Sequence, residues 1–349
     1  MKTNKIRQIA ILTASLLLCA CNSAQKQNSA YQIDLPKDCQ TPDGMALGAD
    51  GNIYLSINQL SGKFKNAAKI VCIDANDNIS DFVVLPPSPE TKVASPMGVC
   101  FGSDGNLYIA DNQMFGGAKQ GSRILRVKIK DGKALSCAPV VEGLKVANGI
   151  ACAKDKIFLT DCMVDMNGNP IKSAVYVFDI AKLDEKDPVK VNGLNDPHVF
   201  DVISTRWTSP ETQVGCDGIC SDSEGNIYVA NFGEASVSKY VFDKSSKIIS
   251  KEIILKGKTK SCDGLHIDAE NNLWISDFVG NAVAKLNLAT GDFCVVKSSK
   301  VGTLPVNGEL CAPADAIRRG DKLYISNMNT DMAPHKTLPA HTLSVVNLK

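Results

Sequence analysis

Five oxygen-bearing side chains recur at one position of a repeated sequence pattern, and their chemistry suits a divalent cation. When the six repeats are aligned on their second residue, that position holds Asp43, Met97, Asn148, Asp217, Asp263 and Asp315. Carboxylates that converge in a narrow space repel one another unless a cation is bound or some of them are protonated. Carboxylate and amide oxygens favour Ca²⁺, with Mg²⁺ and Mn²⁺ as alternatives. A different interpretation is that each Asp before a glycine caps a local turn.

Each repeat has the pattern of a β-hairpin, with two short runs of alternating apolar residues joined by a polar turn. The repeats are spaced by roughly 45–55 residues, with about 70 before the fourth, which is the range for propeller blades. The pattern predicts an all-β, six-bladed β-propeller with four antiparallel strands in each blade. The innermost strands of a propeller line a central channel, so the second residue of every repeat is expected to face the axis.

Two further stretches bear on how the ring is built. Tyr31–Leu35 and Thr342–Leu348 are both strand-like, and we expect them to share a blade and so close the ring without an open edge. The longest gap between repeats lies near Leu183–Gly215. It is interpreted either as a lid or rim over the channel or as an elongated hairpin.

The N-terminal residues have the features of an export signal. Residues 1–20 place basic residues ahead of the apolar run Ile9–Leu18, which is too short to span a bilayer. The segment ends Leu-Cys-Ala-Cys, which resembles a bacterial lipobox with Cys21 as the lipidated residue; an ordinary cleaved signal peptide is the alternative. Residues 21–30 are predicted to be a flexible tether and residues 31–349 the propeller. The expected location is the outer membrane, with the domain in the periplasm or at the cell surface, held only by the lipid.

The charge balance and the lack of known catalytic motifs argue against several classes of function. The chain has 38 basic and 37 acidic residues, so it lacks the basic footprint of a nucleic-acid-binding protein. No phosphate-binding loop, zinc-protease motif or serine-hydrolase elbow occurs in a suitable context. Several cysteines fall inside apolar strand runs and are expected to behave as small core residues; they are Cys72, Cys100, Cys152, Cys220 and Cys294.

The repeats that begin PDG, ANG and CDG, followed by GNIY or NNLW hairpins, resemble the regucalcin/gluconolactonase/luciferin-regenerating enzyme family, also called senescence marker protein-like. The resemblance covers essentially the whole chain after the signal. It implies a six-bladed propeller whose channel holds a divalent cation through a Glu, two Asn and an Asp. Many members of that family hydrolyse lactones or related esters.

Blade order transfers these ligand positions to Asp43 for the Glu, Asn148 and Asp217 for the two Asn, and Asp263 for the Asp. Met97 and Asp315 then fall on the two blades without ligands. Asp43 is shorter than Glu, and Asp217 replaces an amide. An alternative register matches ANG and the first CDG to the family's PNG and PDG, and leaves Met97 where a ligand should be.

The resemblance implies metal-assisted hydrolysis of a lactone, an ester or a sugar-acid derivative, with Asp263 as the general base that activates water. Asp315, His266 and His198 are further candidates. His266 is three residues beyond Asp263 on the same strand, so strand alternation turns it to the opposite face and favours a structural role. The competing hypothesis is a non-catalytic propeller that binds a ligand or protein and holds a structural cation. Lyase or isomerase chemistry on a sugar acid is a third.

Overall fold

The computed structural model describes residues 29–332, 334–335 and 341–349. These residues form a six-bladed β-propeller in which each blade is an antiparallel sheet built on four strands, as the sequence predicts. The export signal, Cys21 and all but the last two residues of the predicted tether lie outside the described residues, so their assignments stay predictions. Within the described ranges, no helix is both long enough and apolar enough to cross a membrane.

The blades follow one another along the chain, and each runs from its innermost strand outward. Blade 1 consists of Pro42–Leu47, Ile53–Ile57, Lys69–Ile73 and Ile79–Val84. Blade 2 consists of Pro96–Phe101, Leu107–Asp111, Ser122–Lys130 and Lys133–Leu144. Blade 3 consists of Ala147–Ala153, Lys156–Asp165, Ile171–Asp179 and Val199–Thr205.

The second half of the ring repeats this order. Blade 4 consists of Cys216–Ser221, Ile227–Asn231, Ser236–Phe242 and Ile248–Lys256. Blade 5 consists of Leu265–Ile267, Asn272–Asp277, Ala282–Asn287 and Phe293–Ser298. Blade 6 consists of Pro313–Arg319, Lys322–Asn327, Thr342–Asn347 and the N-terminal strand Ala30–Asp34.

The two ends of the chain close the ring inside blade 6. Ala30–Asp34 pairs antiparallel with Thr342–Asn347, from Ala30 opposite Val346 to Asp34 opposite Thr342. This confirms the predicted closure, and the strand begins at Ala30, one residue before the predicted start of the domain. The innermost strands of neighbouring blades contact one another around the ring, and apolar residues between adjacent sheets form the core clusters.

The longest gap between repeats is neither a lid nor an elongated hairpin. Its segment Val199–Thr205 is the outermost strand of blade 3, and Val189–Lys190 adds a short parallel strand to the edge of blade 2. Short 3-10 turns connect these pieces, at Ile180–Lys182, Gly193–Asn195 and Pro210–Thr212. The extra residues therefore supply the outermost strand of blade 3 and add a short strand to the edge of blade 2.

An aspartate in the first hairpin turn of four blades fixes that turn to its second strand. Asp50 accepts a hydrogen bond from the Tyr54 hydroxyl at 2.9 Å, and Asp268 accepts one from the Trp274 indole at 2.9 Å. Tyr108 and Tyr228 bond their turn aspartates in the same way. The recurring aromatic of the GNIY and NNLW hairpins thus buries its ring while its polar atom satisfies the turn.

A β-bulge at the start of the innermost strand turns the motif residues toward the axis. In blade 1, Pro42 lies opposite Ile57 and Met45 lies opposite Leu55, so two residues on the innermost strand lie opposite one residue on the second strand. The glycine after the motif residue packs against the next blade. A Cβ atom added at Gly218 would lie 2.2 Å from the carbonyl oxygen of Asp263. A side chain at Gly218 would therefore clash with the neighbouring innermost strand.

We expect Gly218→Ala to destabilise the protein by about 3 kcal/mol or more, the upper end of the cost of overpacking, because the new methyl group meets backbone atoms that cannot rotate away. Gly257→Ala is the matched control, since Gly257 has φ +66° with open space around its Cβ position. That control measures backbone strain alone, about 1–2 kcal/mol. Equal losses for the two variants in urea unfolding would contradict the close approach at the hub.

Candidate functional site

One residue from the innermost strand region of each blade lines a small cavity on the axis, here called the hub cavity. Its volume is about 80 Å³, and these six residues are Asp43, Met97, Asn148, Asp217, Asp263 and Ala314. Each lies in or beside the bulge of its blade, so the repeat geometry brings together side chains that are far apart in sequence. The four predicted cation ligands therefore share a cavity, and Met97 faces it with them.

Blade 6 departs from the predicted alignment by one residue. Its bulge places Pro313 opposite Asn327 and Asp315 opposite Ser326, so Ala314 is the structural equivalent of Asp263. Asp315 occupies the glycine position of the other blades. Its Oδ2 accepts a hydrogen bond of 2.8 Å from the Met45 amide in blade 1. The candidate ligand Asp315 thus joins blade 6 to blade 1 and does not line the hub cavity.

Burial and mutual repulsion disfavour the charged forms of the hub carboxylates. Burial, followed by the charges of Asp217 and Asp315, raises the pKa of Asp43 well above its ordinary value. Burial, followed by the charges of Asp217, Asp43 and Asp315, does the same to the pKa of Asp263. Burial also raises the pKa of Asp217, against the lowering effect of the Asn148 amide. The cavity is therefore one where added positive charge would be favourable.

Two polar atoms around the hub cavity are buried and unpaired. Neither Asp217 Oδ1 nor Asn112 Nδ2 has a hydrogen-bond partner among the residues that the structure describes. Asp217 is 3% exposed and Asn112 is 1% exposed, so water does not satisfy them freely. An unpaired buried acceptor and donor are costly to a folded protein unless a ligand pairs with them. Their presence points to a bound group in this cavity.

The donor set of the hub cavity fits a hard cation in its chemistry. Three carboxylates and the Asn148 amide supply oxygen atoms, the kind of ligand that Ca²⁺, Mg²⁺ and Mn²⁺ take. Within the described part of the chain, no three His, Cys, Asp or Glu side chains are gathered into a metal-binding group. The three hub carboxylates are therefore not drawn together around one point, and the assignment of Asn148 and these acids as cation ligands stays a prediction.

A second ring of side chains stands above the acids, and the sequence analysis missed it. Five of these residues directly follow the second strand of their blade, and Cys162 lies within the longer second strand of blade 3. They are Asn58, Asn112, Cys162, Phe232, Phe278 and Met328. Asn58 donates to Asp43 Oδ2 at 3.3 Å. The ring is polar on blades 1 and 2 and mostly apolar on blades 3 to 6. The signal was present in the sequence as the residue after each IYLSI-like run, which strand patterning alone does not mark as functional.

His266 lies on the other side of the hub, paired with Asp315. Its Nε2 is 3.0 Å from Asp315 Oδ2. Burial lowers the pKa of His266, but the charge and hydrogen bond of Asp315 outweigh burial and raise it overall. A smaller cavity of about 40 Å³ is lined by this pair together with Asp43, Asp217 and Asp263. His266 therefore does not line the hub cavity, but it shares this smaller cavity with the acids.

The larger opening on the His266 side, here called the far cavity, has a volume of about 550 Å³. Cys100, Cys152 and Cys220 line it, so these cysteines face an opening as well as the sheets they were predicted to pack in. Arg318 also lines it, and its guanidinium pairs with the Asp268 and Glu270 carboxylates. Arg318 therefore neutralises the two acids that line the far cavity, whereas the hub acids have no such cationic partner in the described ranges.

The candidate His198 lies at the outer edge of blade 3. It directly precedes the outermost strand, stacks on Phe178 at 5.2 Å between ring centroids, and places Nδ1 2.9 Å from Asp196 Oδ1. The rest of the blade stands between His198 and the axis. It does not join the residues of the hub cavity, because the segment predicted as a lid is part of the sheet.

Comparison with known proteins gives matches of three kinds. The model of the SMP-30/Gluconolactonase/LRE-like region matches residues 68–250. The lactonase drp35 of Staphylococcus saprophyticus is 26% identical over 220 residues, which cover 63% of this chain and 58% of that protein. The chain thus spans little more than half the length of that relative.

Solved structures share the fold. A luciferin-regenerating enzyme superposes with a TM-score of 0.58 at 14% identity, over 92% of this chain and 96% of that one. A gluconolactonase from Xanthomonas campestris gives a TM-score of 0.56 at 14% identity, over 94% of this chain and 93% of that one. At such identities the likeness concerns the propeller architecture.

Proposed function

The chain belongs to the SMP-30/gluconolactonase/LRE-like family, and from that premise we propose that it is a divalent-cation-dependent hydrolase of lactones or related esters, acting at the hub cavity. The observation that carries this proposal is the group of buried, unneutralised carboxylates beside an unpaired amide donor. The lactonase relative from Staphylococcus saprophyticus supports the choice of lactones.

Asp43, Asn148, Asp217 and Asp263 would hold the cation, with Ca²⁺ preferred and Mg²⁺ or Mn²⁺ as alternatives. A bound cation would polarise the lactone carbonyl and offset the negative charge that develops on its oxygen. Asp217 Oδ1, which has no partner in the described ranges, supports this assignment. Positive charge in the cavity also favours the ionised form of Asp263.

Asp263 acts in this proposal as the general base. Its carboxylate takes a proton from water as the water oxygen attacks the carbonyl carbon. The ring C–O bond then breaks, and the proton returns to the leaving oxygen, so a hydroxy acid forms. A base works best when its pKa is near the working pH. Burial and the neighbouring acids raise the pKa of Asp263, and a bound cation would act against that rise.

Asn112 would orient the substrate carbonyl through its unpaired amide. Its Oδ1 accepts a hydrogen bond of 3.0 Å from the Met114 amide, which holds the side chain so that Nδ2 remains available. We expect Asn112→Leu to lower kcat for lactones about tenfold, the usual worth of one neutral hydrogen bond. Lys65→Ala, an exposed change elsewhere, is the control. A rise in KM with unchanged kcat would show that Asn112 binds substrate without acting in the transition state.

The proposal is tested with purified protein that has been stripped by a chelator and assayed on a panel of lactones. Turnover should return when Ca²⁺, Mg²⁺ or Mn²⁺ is added and should be absent without a cation. Heat unfolding of the same samples reports whether the cation binds at all. A cation that raises the melting temperature while no lactone is hydrolysed would favour the alternative function, a binding propeller with a structural ion.

A further inference from the structure

The hub cavity is too small to enclose a whole substrate. Its 80 Å³ is far below the roughly 300–1,000 Å³ of typical ligand pockets. The reacting ring of a lactone would occupy this space together with the acids, and any substituent on the ring must extend elsewhere. The surroundings of the cavity therefore decide which substituents are accepted.

Apolar side chains form most of the wall that faces away from the acids. Five of the eight methionines of the chain line the hub cavity, namely Met97, Met114, Met163, Met328 and Met332. Phe232 and Phe278 stand beside them, with ring centroids 6.1 Å apart. Methionine is flexible and polarisable, and it adapts to apolar groups of varied shape. Hydroxyl groups placed against this wall would lose their water partners without replacement.

A groove of about 700 Å³ continues from the hub cavity between blades 2 and 3. Met114, Val146 and Met163 line both spaces, so these side chains lie between the groove and the hub cavity, at a position here called the passage. Beyond this passage the groove is lined by apolar residues such as Val164 and Leu194. Its polar lining residues are Lys119, Lys145, Asp165 and Asn167. The ammonium of Lys145 already donates to the Val164 carbonyl at 2.6 Å.

We propose that the preferred substrate is a lactone with an alkyl substituent on its ring. The ring lies in the hub cavity against Asp263, and the substituent runs over Met114 and Met163 into the groove. This inference rests on the proposed function, because it identifies the class of lactone that the same site takes. Polyhydroxylated sugar lactones are disfavoured because the wall offers them methionine and phenylalanine in place of hydrogen-bond partners.

The kinetic test compares two lactones of one ring size, and a polyhydroxylated lactone, in the cation-loaded protein. γ-Nonalactone carries a pentyl chain that γ-butyrolactone lacks, and glucono-δ-lactone represents the polyhydroxylated class. We expect kcat/KM to rise with chain length by up to about fourfold for each buried methylene, so that γ-nonalactone exceeds γ-butyrolactone by at least tenfold. Equal values for these two, or a preference for glucono-δ-lactone, would overturn the inference while leaving lactone hydrolysis established.

Met163→Gln makes the passage polar with little change in side-chain length. We expect it to reduce the preference for γ-nonalactone over γ-butyrolactone about tenfold. Ile249→Gln is the matched control, because Ile249 is 68% exposed on the outermost strand of blade 4 and should leave the preference unchanged. If Met163→Gln left the preference for γ-nonalactone over γ-butyrolactone unchanged, the alkyl substituent would not contact Met163.

Binding is measured separately from turnover by calorimetry with the corresponding lactams, which resist hydrolysis. The pentyl-substituted lactam should bind at least tenfold more tightly than the unsubstituted ring, and Met163→Gln should remove the difference. If the pentyl-substituted lactam bound more tightly but no lactone were hydrolysed, the proposed hydrolase function would be wrong and the apolar binding site would still be supported. Equal binding of the two lactams would refute the inference whatever the turnover.

Discussion

Asp263→Asn should reduce kcat/KM for lactones by about 10²–10⁴-fold, the usual contribution of a general base. The amide has nearly the same shape as the carboxylate, but it cannot take a proton from water and contributes no charge to the cation. Because Asp263 is buried among acids that raise its pKa, removing its charge should not destabilise the metal-free protein. The loss should therefore appear as a catalytic defect in a folded protein, checked by circular dichroism.

Asp315→Asn is the matched control for this experiment. Asp315 is also a buried carboxylate at the hub, but its oxygens accept bonds from the Met45 and Ala316 amides and pair with His266. We expect Asp315→Asn to lower stability and to leave kcat/KM within a few fold of the wild type. If both variants lost activity equally, the effect would come from the hub as a whole, and Asp263 would have no special role.

In the cation-free protein, the free energy of unfolding should decrease as the pH rises. Burial raises the pKa values of Asp43, Asp217 and Asp263 above those of the unfolded chain. A carboxyl whose pKa is raised by folding favours the folded state when it is protonated. That contribution is complete below the unfolded pKa, near 3.8, and is lost as the pH rises toward the folded pKa. Stability of the stripped protein should therefore decrease from about pH 4 toward neutrality.

Asp217→Asn should remove part of this dependence. Each unit by which folding raises a pKa costs about 1.4 kcal/mol at a pH above both values, so the metal-free variant should exceed the wild type by at least about that amount at pH 8. Added Ca²⁺ should narrow this difference, because a cation at 100 times its Kd stabilises the wild type by about 2.7 kcal/mol. Urea unfolding at several pH values measures both effects. A stripped wild type that becomes more stable with rising pH would show that the hub acids are compensated by other groups.

Much of the fold could be read from local patterns in the sequence. Alternating apolar runs and turn residues belong to single hairpins, and their recurrence required a closed ring of blades. The predicted closure by Tyr31–Leu35 and Thr342–Leu348 follows from the same requirement, since an open edge is unfavourable. The predicted ligands Asp43, Asn148, Asp217 and Asp263 share a cavity because equivalent positions of a ring face one axis.

Other features depend on contacts between blades and were not visible in the sequence. Blade 6 was misaligned by one residue, because Asp315 replaces the glycine and its carboxylate reaches across to blade 1. The segment interpreted as a lid or an elongated hairpin instead contains the outermost strand of blade 3, Val199–Thr205, which pairs with the third strand of that blade. His198 moved to the outer edge with that strand.

The sequence by itself determined the six-bladed architecture and the ring of acids, because both follow from periodicity within short segments. The tertiary structure decided how that ring is used. It set Asn112 opposite the apolar residues Phe232 and Phe278, placed His266 against Asp315 on the far side, and joined the hub cavity to a groove through Met114 and Met163. Each of these pairings brings together residues from different blades, and such long-range contacts form only when the closed ring fixes the blades against one another.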